Sequence, residues 1–208
     1  RRRWSNSAGI FDVSFLRCIP NMIIMSPSDE NECWKMLSTG YNYSGPAAIR
    51  YPRGEGPGTE ILENFDLLEI GKARLINETL SDLVILSFGN MLDLSMEIAD
   101  QINCSLVDMR FIKPLDEELI EKCAKKYKHI ITIEENVITG GAGSAVNEYL
   151  TKIGYSEKLK IFGIPDEFPI VGSQEDQRDA AGLTKDKILE SLASELNLKD
   201  LEKKVSAQ

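Results

Sequence analysis

The spacing of apolar residues along the chain alternates between a pattern typical of strands and one typical of helices. This alternation predicts strands and helices in turn. Residues 22–25 form a short continuous apolar run, which is typical of a strand buried on both faces of a parallel sheet. Cys33, Met36 and Leu37 then recur at helical spacing, and Gly40 is expected to end that helix. Residues 47–51 return to a strand pattern, so the first part of the chain predicts a right-handed βαβ unit.

The alternation continues after residue 66. Strands are predicted over 67–76, 83–86, 106–109, 130–133 and 160–164. Helical apolar stripes lie between them, and two short helices separated at Gly182 are predicted from Gln174 to about Leu196. This order predicts an α/β fold with an open, mostly parallel sheet covered by helices on both faces, preceded by the tail end of a second α/β domain.

The division into domains follows from one stretch rich in glycine, proline and polar residues. We predict a tag or disordered end over 1–8, part of a first domain over 9–54, a linker over 55–65, a second domain over 66–200 and a tail over 201–208. The first part has two central strands and lacks partners on one side. We therefore expect it to be the end of a larger domain.

Charge and composition exclude several classes of function. The net charge of −9 argues against a nucleic-acid-binding protein, which needs a basic face, and no apolar run reaches the length of a membrane span. Four widely spaced cysteines (Cys18, Cys33, Cys104 and Cys123) and one histidine do not form a zinc pattern. We predict four buried, reduced thiols and a cytoplasmic protein.

Three polar features have simple structural explanations. The glycine-rich stretch 140–144 joins a strand to a helix, where glycines either allow amides to bind an anion or permit a tight turn. Glu134 and Glu135 are adjacent in a strand, so their side chains are expected on opposite faces and not as a catalytic pair. Asp108 and Arg110 are two residues apart in a predicted strand, which favours an ion pair.

The stretch with the clearest functional signal is the corner Tyr51-Pro52-Arg53-Gly54. Pro52 ends the strand ladder, so Arg53 follows at the carboxyl end of a strand, where α/β sheets bind anions and other ligands. From the residues alone, Arg53 is either an anion-binding residue or a surface arginine paired with one of the many carboxylates.

Several separated motifs resemble the 1-deoxy-D-xylulose-5-phosphate synthases of the transketolase superfamily. They are GIFDVSFLRCIPNMIIMSPSDENECWKML at 9–37, GPAAIRYPRG at 45–54, LVDMRFIKPLD at 106–116, IEENVITGGAGSAVNEYL at 133–150 and GIPDEF at 163–168. The resemblance covers only the C-terminal third of such an enzyme. It identifies residues 9–54 with the C-terminal part of the pyrimidine-binding domain and 66–200 with the transketolase C-terminal domain.

The resemblance implies a reaction and a set of partners. These enzymes condense pyruvate with glyceraldehyde 3-phosphate, with loss of CO₂, using thiamine diphosphate and Mg²⁺. Arg53 matches the arginine at the site for the aldehyde's phosphate, and Arg50 and Tyr51 are possible neighbours of the substrate. The resemblance also implies missing N-terminal domains as partners, a homodimer, and no nucleic acid or membrane partner.

This chain departs from the family in the residues that handle the cofactor. The active-site histidine that precedes the glycine equivalent to Gly9 is absent, as are the GDG-containing metal site and the glutamate that activates the cofactor. We therefore predict no catalytic, cofactor-binding or metal-binding residue in this chain, and no activity for this chain by itself. Two alternatives stay open, namely another member of the superfamily (a transketolase or a pyruvate dehydrogenase beta subunit) and a non-catalytic module for dimerisation and support.

Overall fold

A computed structural model describes residues 9–52, 56–62, 66–168 and 172–196. Within these ranges the helices are α1 (Asp12–Leu16), α2 (Glu30–Asn42), α3 (Leu92–Ile102), α4 (Glu117–Lys126), α5 (Ala142–Lys152), α6 (Gln174–Ala180) and α7 (Lys185–Leu196). The strands are β1 (Ile23–Met25), β2 (Ala47–Ile49), β3 (Arg74–Asn77), β4 (Leu83–Ser87), β5 (Ser105–Asp108), β6 (Phe111–Lys113), β7 (His129–Val137) and β8 (Lys158–Ile164). The predicted terminal segments 1–8 and 201–208 lie outside the described residues.

The larger sheet has five strands in the order β3-β5-β4-β7-β8. Its strands are parallel except β3, which runs antiparallel to β5 at one edge. Leu83 and Ile85 of β4 pack in a core cluster with residues of α3 and α7, whereas Val84 and Leu86 pack in a second cluster with residues of α4 and α5. Successive side chains therefore enter opposite cores, which confirms the predicted α/β fold with both faces covered.

The smaller sheet has three strands in the order β2-β1-β6. β1 and β2 are parallel, as predicted, but β6 pairs antiparallel with the other edge of β1. Ile23, Met25, Met36 and Phe111 form its core together with α2. The first part was expected to lack partners on one side; β6, which follows the linker in sequence, fills one edge of β1, whereas β2 has no neighbour on its outer edge among the described residues.

Helix α2 begins with a side-chain cap and buries an unexpected face. Asp29 accepts a hydrogen bond from the amide of Glu32 at 2.8 Å, which satisfies an otherwise unpaired donor. The buried positions are Glu32, Met36 and Thr39. Leu37 was predicted in the buried stripe but is 46% exposed, because the helix turns the Glu32 side toward the rest of the molecule.

Two glycines act differently from the sequence prediction. Helix α2 continues past Gly40, whose missing Cβ would lie 3.3 Å from side-chain atoms of Ala47 and Ile49, so this glycine allows close packing of helix on strand. Gly71, which falls inside the predicted strand over 67–76, lies in a turn with φ of +77°. The strand that follows is therefore shorter and begins only at β3.

Four charged side chains join the two parts of the chain. Arg110 donates to both carboxylate oxygens of Glu32, at 2.7 and 2.9 Å. Asp108 accepts from Arg74 and from the Ser28 hydroxyl, each at 3.0 Å. The predicted ion pair between Asp108 and Arg110 is not what forms, since β5 ends at Asp108 and the backbone of Arg110 turns away with φ of +56°.

The cysteines are free thiols, but only two of them are buried. Cys104 and Cys123 lie in the cores of the larger sheet, whereas Cys33 is half-buried and Cys18 is exposed. The prediction of four buried thiols is therefore wrong for Cys18, which follows α1 at the surface. Among the described residues, no helix has both the length and the apolar character needed to cross a membrane.

Candidate functional site

A cleft of about 310 Å³ lies where the chain leaves the carboxyl ends of three strands. Pro27 and Ser28 follow β1, Tyr51 and Pro52 follow β2, and Asn90 follows β4. Open parallel sheets bind ligands outside this edge. A larger cavity of about 460 Å³ lies between α4 and the turn before β8. It is at the amino-terminal edge of the strands, which is not the edge where such sheets bind ligands.

The predicted substrate corner borders this cleft. Tyr51 is 65% exposed and lines it together with Pro52. Arg53, the predicted phosphate-binding residue, lies outside the described residues.

Arg50 does not point freely into the cleft. Its Nη2 donates to the backbone carbonyls of Gly9 and Glu135, both at 2.5 Å. Its Nε lies 3.6 Å from the carboxylate of Asp12, and the side chain is 12% exposed. Arg50 is therefore engaged by three groups of the protein and links the strand before the corner to the larger sheet.

Glu135 organises the wall of the cleft that belongs to the larger sheet. It accepts hydrogen bonds from Arg178 at 3.0 and 3.3 Å and from Gln174 at 3.0 and 3.3 Å, and Asn90 donates a further short one. Burial opposes ionisation here, but the hydrogen bond and charge of Arg178 hold the pKa of Glu135 below its ordinary value. The carboxylate thus fixes α6 against the end of β7, with Arg178 lining the cleft.

Three carboxyl groups also line the cleft, namely those of Asp29, Glu30 and Asp93. Asp29 caps helix α2, and Glu30 accepts hydrogen bonds from the amide of Gly58 and from Thr59. Burial, together with the nearby Asp29, raises the pKa of Asp93. Asp29 and Glu30 are therefore hydrogen-bonded within the protein, and burial disfavours the charged form of Asp93.

The glycine-rich stretch 140–144 holds an anion of the protein itself. The carboxylate of Glu134 accepts from the amides of Ala142 and Gly143, at 2.7 and 2.8 Å, at the start of α5. A Cβ on Gly141 would lie 2.5 Å from that carboxylate. Burial raises the pKa of Glu134 to about 7 against these two donors. Glu134 and Glu135 thus point in different directions, as predicted.

The residues that the structure describes do not fit the metal of a thiamine enzyme. No group of three or more His, Cys, Asp or Glu side chains among them is arranged to hold a metal ion. His129 begins β7, at the edge of the sheet opposite the cleft, and burial lowers its pKa. The described part of the chain therefore lines the cleft on both sides, and it has no such group of metal-ligating side chains.

Comparison with protein families identifies the class. The profile of the transketolase pyrimidine-binding domain matches residues 5–59, and that of the transketolase C-terminal domain matches residues 71–188. Because the second match alone spans more than half of the chain, the chain belongs to the transketolase family.

Among individual proteins, the similar curated sequences are 1-deoxy-D-xylulose-5-phosphate synthases. The chain is 47% identical over 193 residues to that of Vibrio atlanticus (strain LGP32), covering 90% of this chain and 31% of that protein. It is 50% identical over 182 residues to that of Psychromonas ingrahamii, covering 85% of this chain and 29% of that protein. The resemblance to these synthases is confirmed, and the chain spans about three tenths of their length.

Solved structures show the same fold. A split-gene transketolase, described as an inactive β4 tetramer, aligns with a TM-score of 0.77 at 26% identity over 92% of this chain and 64% of that chain. The transketolase of Campylobacter jejuni aligns with a TM-score of 0.65 at 21% identity, over 89% of this chain and 28% of that one. The predicted transketolase-like fold is therefore confirmed.

Sequence reasoning missed the residues that build the far wall of the cleft. Gln174 and Arg178 lie in a polar helix with no buried residue, so the sequence pattern predicted the helix but did not indicate which of its side chains face the cleft. Glu135 was interpreted as a structural residue, which agrees with its contacts, although its partners could not be named. The one available signal was the capping sequence from Ser173 to Asp176, which places the start of α6 but not the direction of its side chains.

Proposed function

We propose that this chain is the C-terminal part of a cytoplasmic 1-deoxy-D-xylulose-5-phosphate synthase. Such an enzyme joins pyruvate to glyceraldehyde 3-phosphate, releases CO₂ and forms 1-deoxy-D-xylulose 5-phosphate, a precursor for isoprenoid, thiamine and pyridoxal synthesis. The observation that carries the proposal is the cleft beside Tyr51 and Pro52, in a chain whose similar relatives bear that name. The lower identity to transketolase structures favours the synthase over another member of the superfamily.

In this proposal Arg53 binds the phosphate of glyceraldehyde 3-phosphate. A guanidinium forms two parallel charge-assisted hydrogen bonds with a phosphate, which a lysine cannot reproduce. The position of the neighbouring Pro52 at the cleft supports the assignment, as does the second guanidinium, that of Arg178, on the opposite wall. Tyr51, exposed at the same edge, is a neighbour of the substrate.

Arg50 takes a positioning role in this proposal. Its guanidinium holds Gly9 and Glu135, and its own amide donates to the carbonyl of Met25 at 2.8 Å. These contacts hold the end of β2 in place immediately before the corner.

Thiamine diphosphate and Mg²⁺ belong to the proposal through residues other than those described here. The cofactor supplies the carbanion chemistry, and the protein supplies binding and orientation. The N-terminal domains of the same enzyme are the partners that would hold it. An intact mass of the native protein, or the gene sequence upstream of Gly9, tests this directly, and a gene without a GDG motif there would contradict it.

Replacing Arg53 with alanine in the complete enzyme tests the phosphate assignment. Losing a charged partner in a desolvated site costs about 2–5 kcal/mol, so kcat/KM for glyceraldehyde 3-phosphate should fall about thirtyfold or more. Pyruvate carries no phosphate, so its decarboxylation without the aldehyde should change much less. A kcat/KM for the aldehyde near that of the wild type would exclude the assignment and leave Arg53 as a structural residue.

A second role, in assembly, can coexist with the first. Phe15 of α1 is 61% exposed, and Phe11 and Phe168 meet edge to face at the same surface with ring centroids 6.1 Å apart. Exposed aromatic groups of this kind favour protein contacts, which supports a homodimer. Sedimentation velocity of the 208-residue chain tests this role, and a monomer at all concentrations would contradict it.

A further inference from the structure

The outer edge of strand β2 is open in the part of the chain that the structure describes. The smaller sheet has the order β2-β1-β6, so β2 has a neighbour on one side only. The amide of Arg50 donates to the carbonyl of Met25 at 2.8 Å, so the backbone groups of Arg50 point toward β1. Backbone groups alternate in direction along a strand, which leaves the amides and carbonyls of Ala47 and Ile49 on the outer side.

Strand β2 has no charged residue, unlike the other three edge strands of the two sheets. It consists of two alanines and an isoleucine. Strand β3 begins with Arg74, β6 ends with Lys113, and β8 contains Lys158 and Lys160. Charged residues on an edge strand discourage pairing with another strand. The edge of β2 lacks this protection, which favours a further strand as its partner.

The face of helix α2 on the same side of the sheet is apolar and exposed. Gly40 packs on β2, and Leu37 lies one turn before it on the same side of the helix. Leu37 is 46% exposed, and Tyr41, four residues further on, is 90% exposed. Glu32 lies on the other side of α2, where it binds Arg110 just before β6. Leu37 and Tyr41 are therefore on the side of the helix that faces away from β6, next to the open edge.

We propose that the outer edge of β2, together with Leu37 and Tyr41 of α2, is a docking surface for the part of the same enzyme that precedes Gly9. That part adds a strand to β2 and covers the two side chains with apolar groups of its own. In such an addition the main-chain hydrogen bonds supply affinity and the side-chain contacts supply specificity. This inference rests on the proposed function, in which the chain is the C-terminal part of a longer enzyme.

Two observations favour this occupant. The chain spans about three tenths of the length of the synthases that it resembles, so most of such an enzyme lies outside it. Parallel α/β sheets often carry one antiparallel strand at an edge, and β6 takes that place beside β1. The sheet can therefore grow only on the side of β2, where its strands are parallel.

Amide hydrogen exchange tests the strand addition. The amides of Ala47 and Ile49 should exchange at least about a hundredfold more slowly in the complete enzyme than in the 208-residue chain, because each gains a backbone acceptor. The matched control is the start of β8, residues 158–161, an edge that carries two lysines. Its amides should exchange at similar rates in the two proteins.

Thiol labelling tests the cover over α2. Tyr41→Cys and Leu80→Cys each place a thiol at a position that is exposed in this chain, since Leu80 is fully exposed. Both should react at once in the 208-residue chain. In the complete enzyme Tyr41→Cys should react at least about tenfold more slowly, whereas Leu80→Cys should keep its rate. Peptide mass spectrometry separates these thiols from the native cysteines.

Three results separate the inference from its alternatives. Fast exchange at Ala47 and Ile49 in a complete synthase, or unchanged labelling of Tyr41→Cys there, would overturn it. Protection in the 208-residue chain that rises with its concentration, with no further gain in the complete enzyme, would assign the surface to a second copy and overturn it as well. A gene without a GDG motif upstream of Gly9 contradicts the proposed function instead, so the two failures are distinguishable.

Discussion

The two sheets of this molecule obtain their partners in different ways. The five-stranded sheet takes all its strands from residues 74–164, and helices α3, α4, α5 and α7, which all follow the linker, cover its two faces. The three-stranded sheet has two strands before the linker and takes β6 from after it. A strand edge without a partner nearby in sequence can therefore be filled by a strand that the chain supplies much later.

The two sheets also differ in how far charged side chains contribute to their contacts. The larger sheet is held mainly by apolar clusters, whereas the smaller one has a core of four buried apolar residues and is joined to its neighbour by the contacts of Glu32 and Asp108. A buried ion pair is strongly sensitive to loss of one partner, because the remaining charge is uncompensated. The boundary between the two sheets is thus where a single substitution should have the largest effect.

Arg110→Ala should produce that effect. It leaves Glu32, whose side chain is 2% exposed, with only the guanidinium of Arg74 at 3.8 Å, and the expected loss in the free energy of unfolding is about 3 kcal/mol, the lower end for a buried charge that loses its partner. Urea unfolding measured by circular dichroism gives the value. The control is Lys122→Ala, which removes an exposed pair with Glu118 and should change stability by about 1 kcal/mol or less. Equal losses in the two variants would mean that the boundary is not specially dependent on charge.

A second prediction concerns the larger sheet and the pH. The folded pKa of Glu134, about 7, lies above its ordinary value of 4.5, so the folded state binds the proton more tightly than the unfolded chain. Stability should therefore fall as the pH rises from about 4.5 to 7 and then level off, by about 3 kcal/mol in total.

Glu134→Gln should remove this part of the pH dependence, because glutamine does not titrate. Glu97→Gln, which changes an exposed carboxylate on α3, should keep the slope of the wild type. The measurement is the urea midpoint at several values between pH 4.5 and 8. A slope that survives Glu134→Gln would assign the pH dependence to other groups.

The smallest effect is expected in the reactivity of the thiols. Two of the four cysteines lie in the larger sheet's region and two in the first part of the chain, so their reactivities compare the two regions directly. Burial raises the pKa of Cys104 to about 12 and that of Cys123 to about 11, so both should react with a thiol reagent only after unfolding. Exposed Cys18 should react at once, and half-buried Cys33, whose pKa is raised by burial and by Asp29, should react more slowly. Time-resolved mass spectrometry distinguishes the four. Early labelling of Cys104 or Cys123 would show that the larger sheet opens easily.

The parts of the fold that could be predicted are those with a local signal. Strand β4 is a continuous apolar run buried along its whole length, and the two short helices around Gly182 carry clear breaks in pattern. Strand β6 could not be separated, because the apolar pattern of β5 continues through Phe111 and Ile112. The burial of Glu32 was equally hidden, since a glutamate is buried only where a partner such as Arg110 meets it.

The candidate site likewise has one part that the sequence predicted and one that it did not. The corner at Tyr51 and Pro52 was located from turn chemistry and from the family motif, and the cleft lies beside it. Its other wall includes Arg178, which Glu135 holds and which the packing of the two sheets brings to the corner. The spacing of residues along the chain does not show that these two regions meet. The sequence alone therefore predicts one side of the cleft, and the other side is seen only in the tertiary structure.

The long stretch of sequence between β1 and β6 also affects when their pairing can form. Lys113 pairs with Ile24 although it follows it by 89 residues. At a synthesis rate of about 5–20 residues per second, β6 is synthesised roughly 4 to 18 s after β1. During that interval this edge of β1 has unpaired amides and carbonyls that can pair with another chain. We therefore expect the speed of translation across residues 26–113, and not only the stability of the finished sheet, to influence how much of this protein reaches its native pairing.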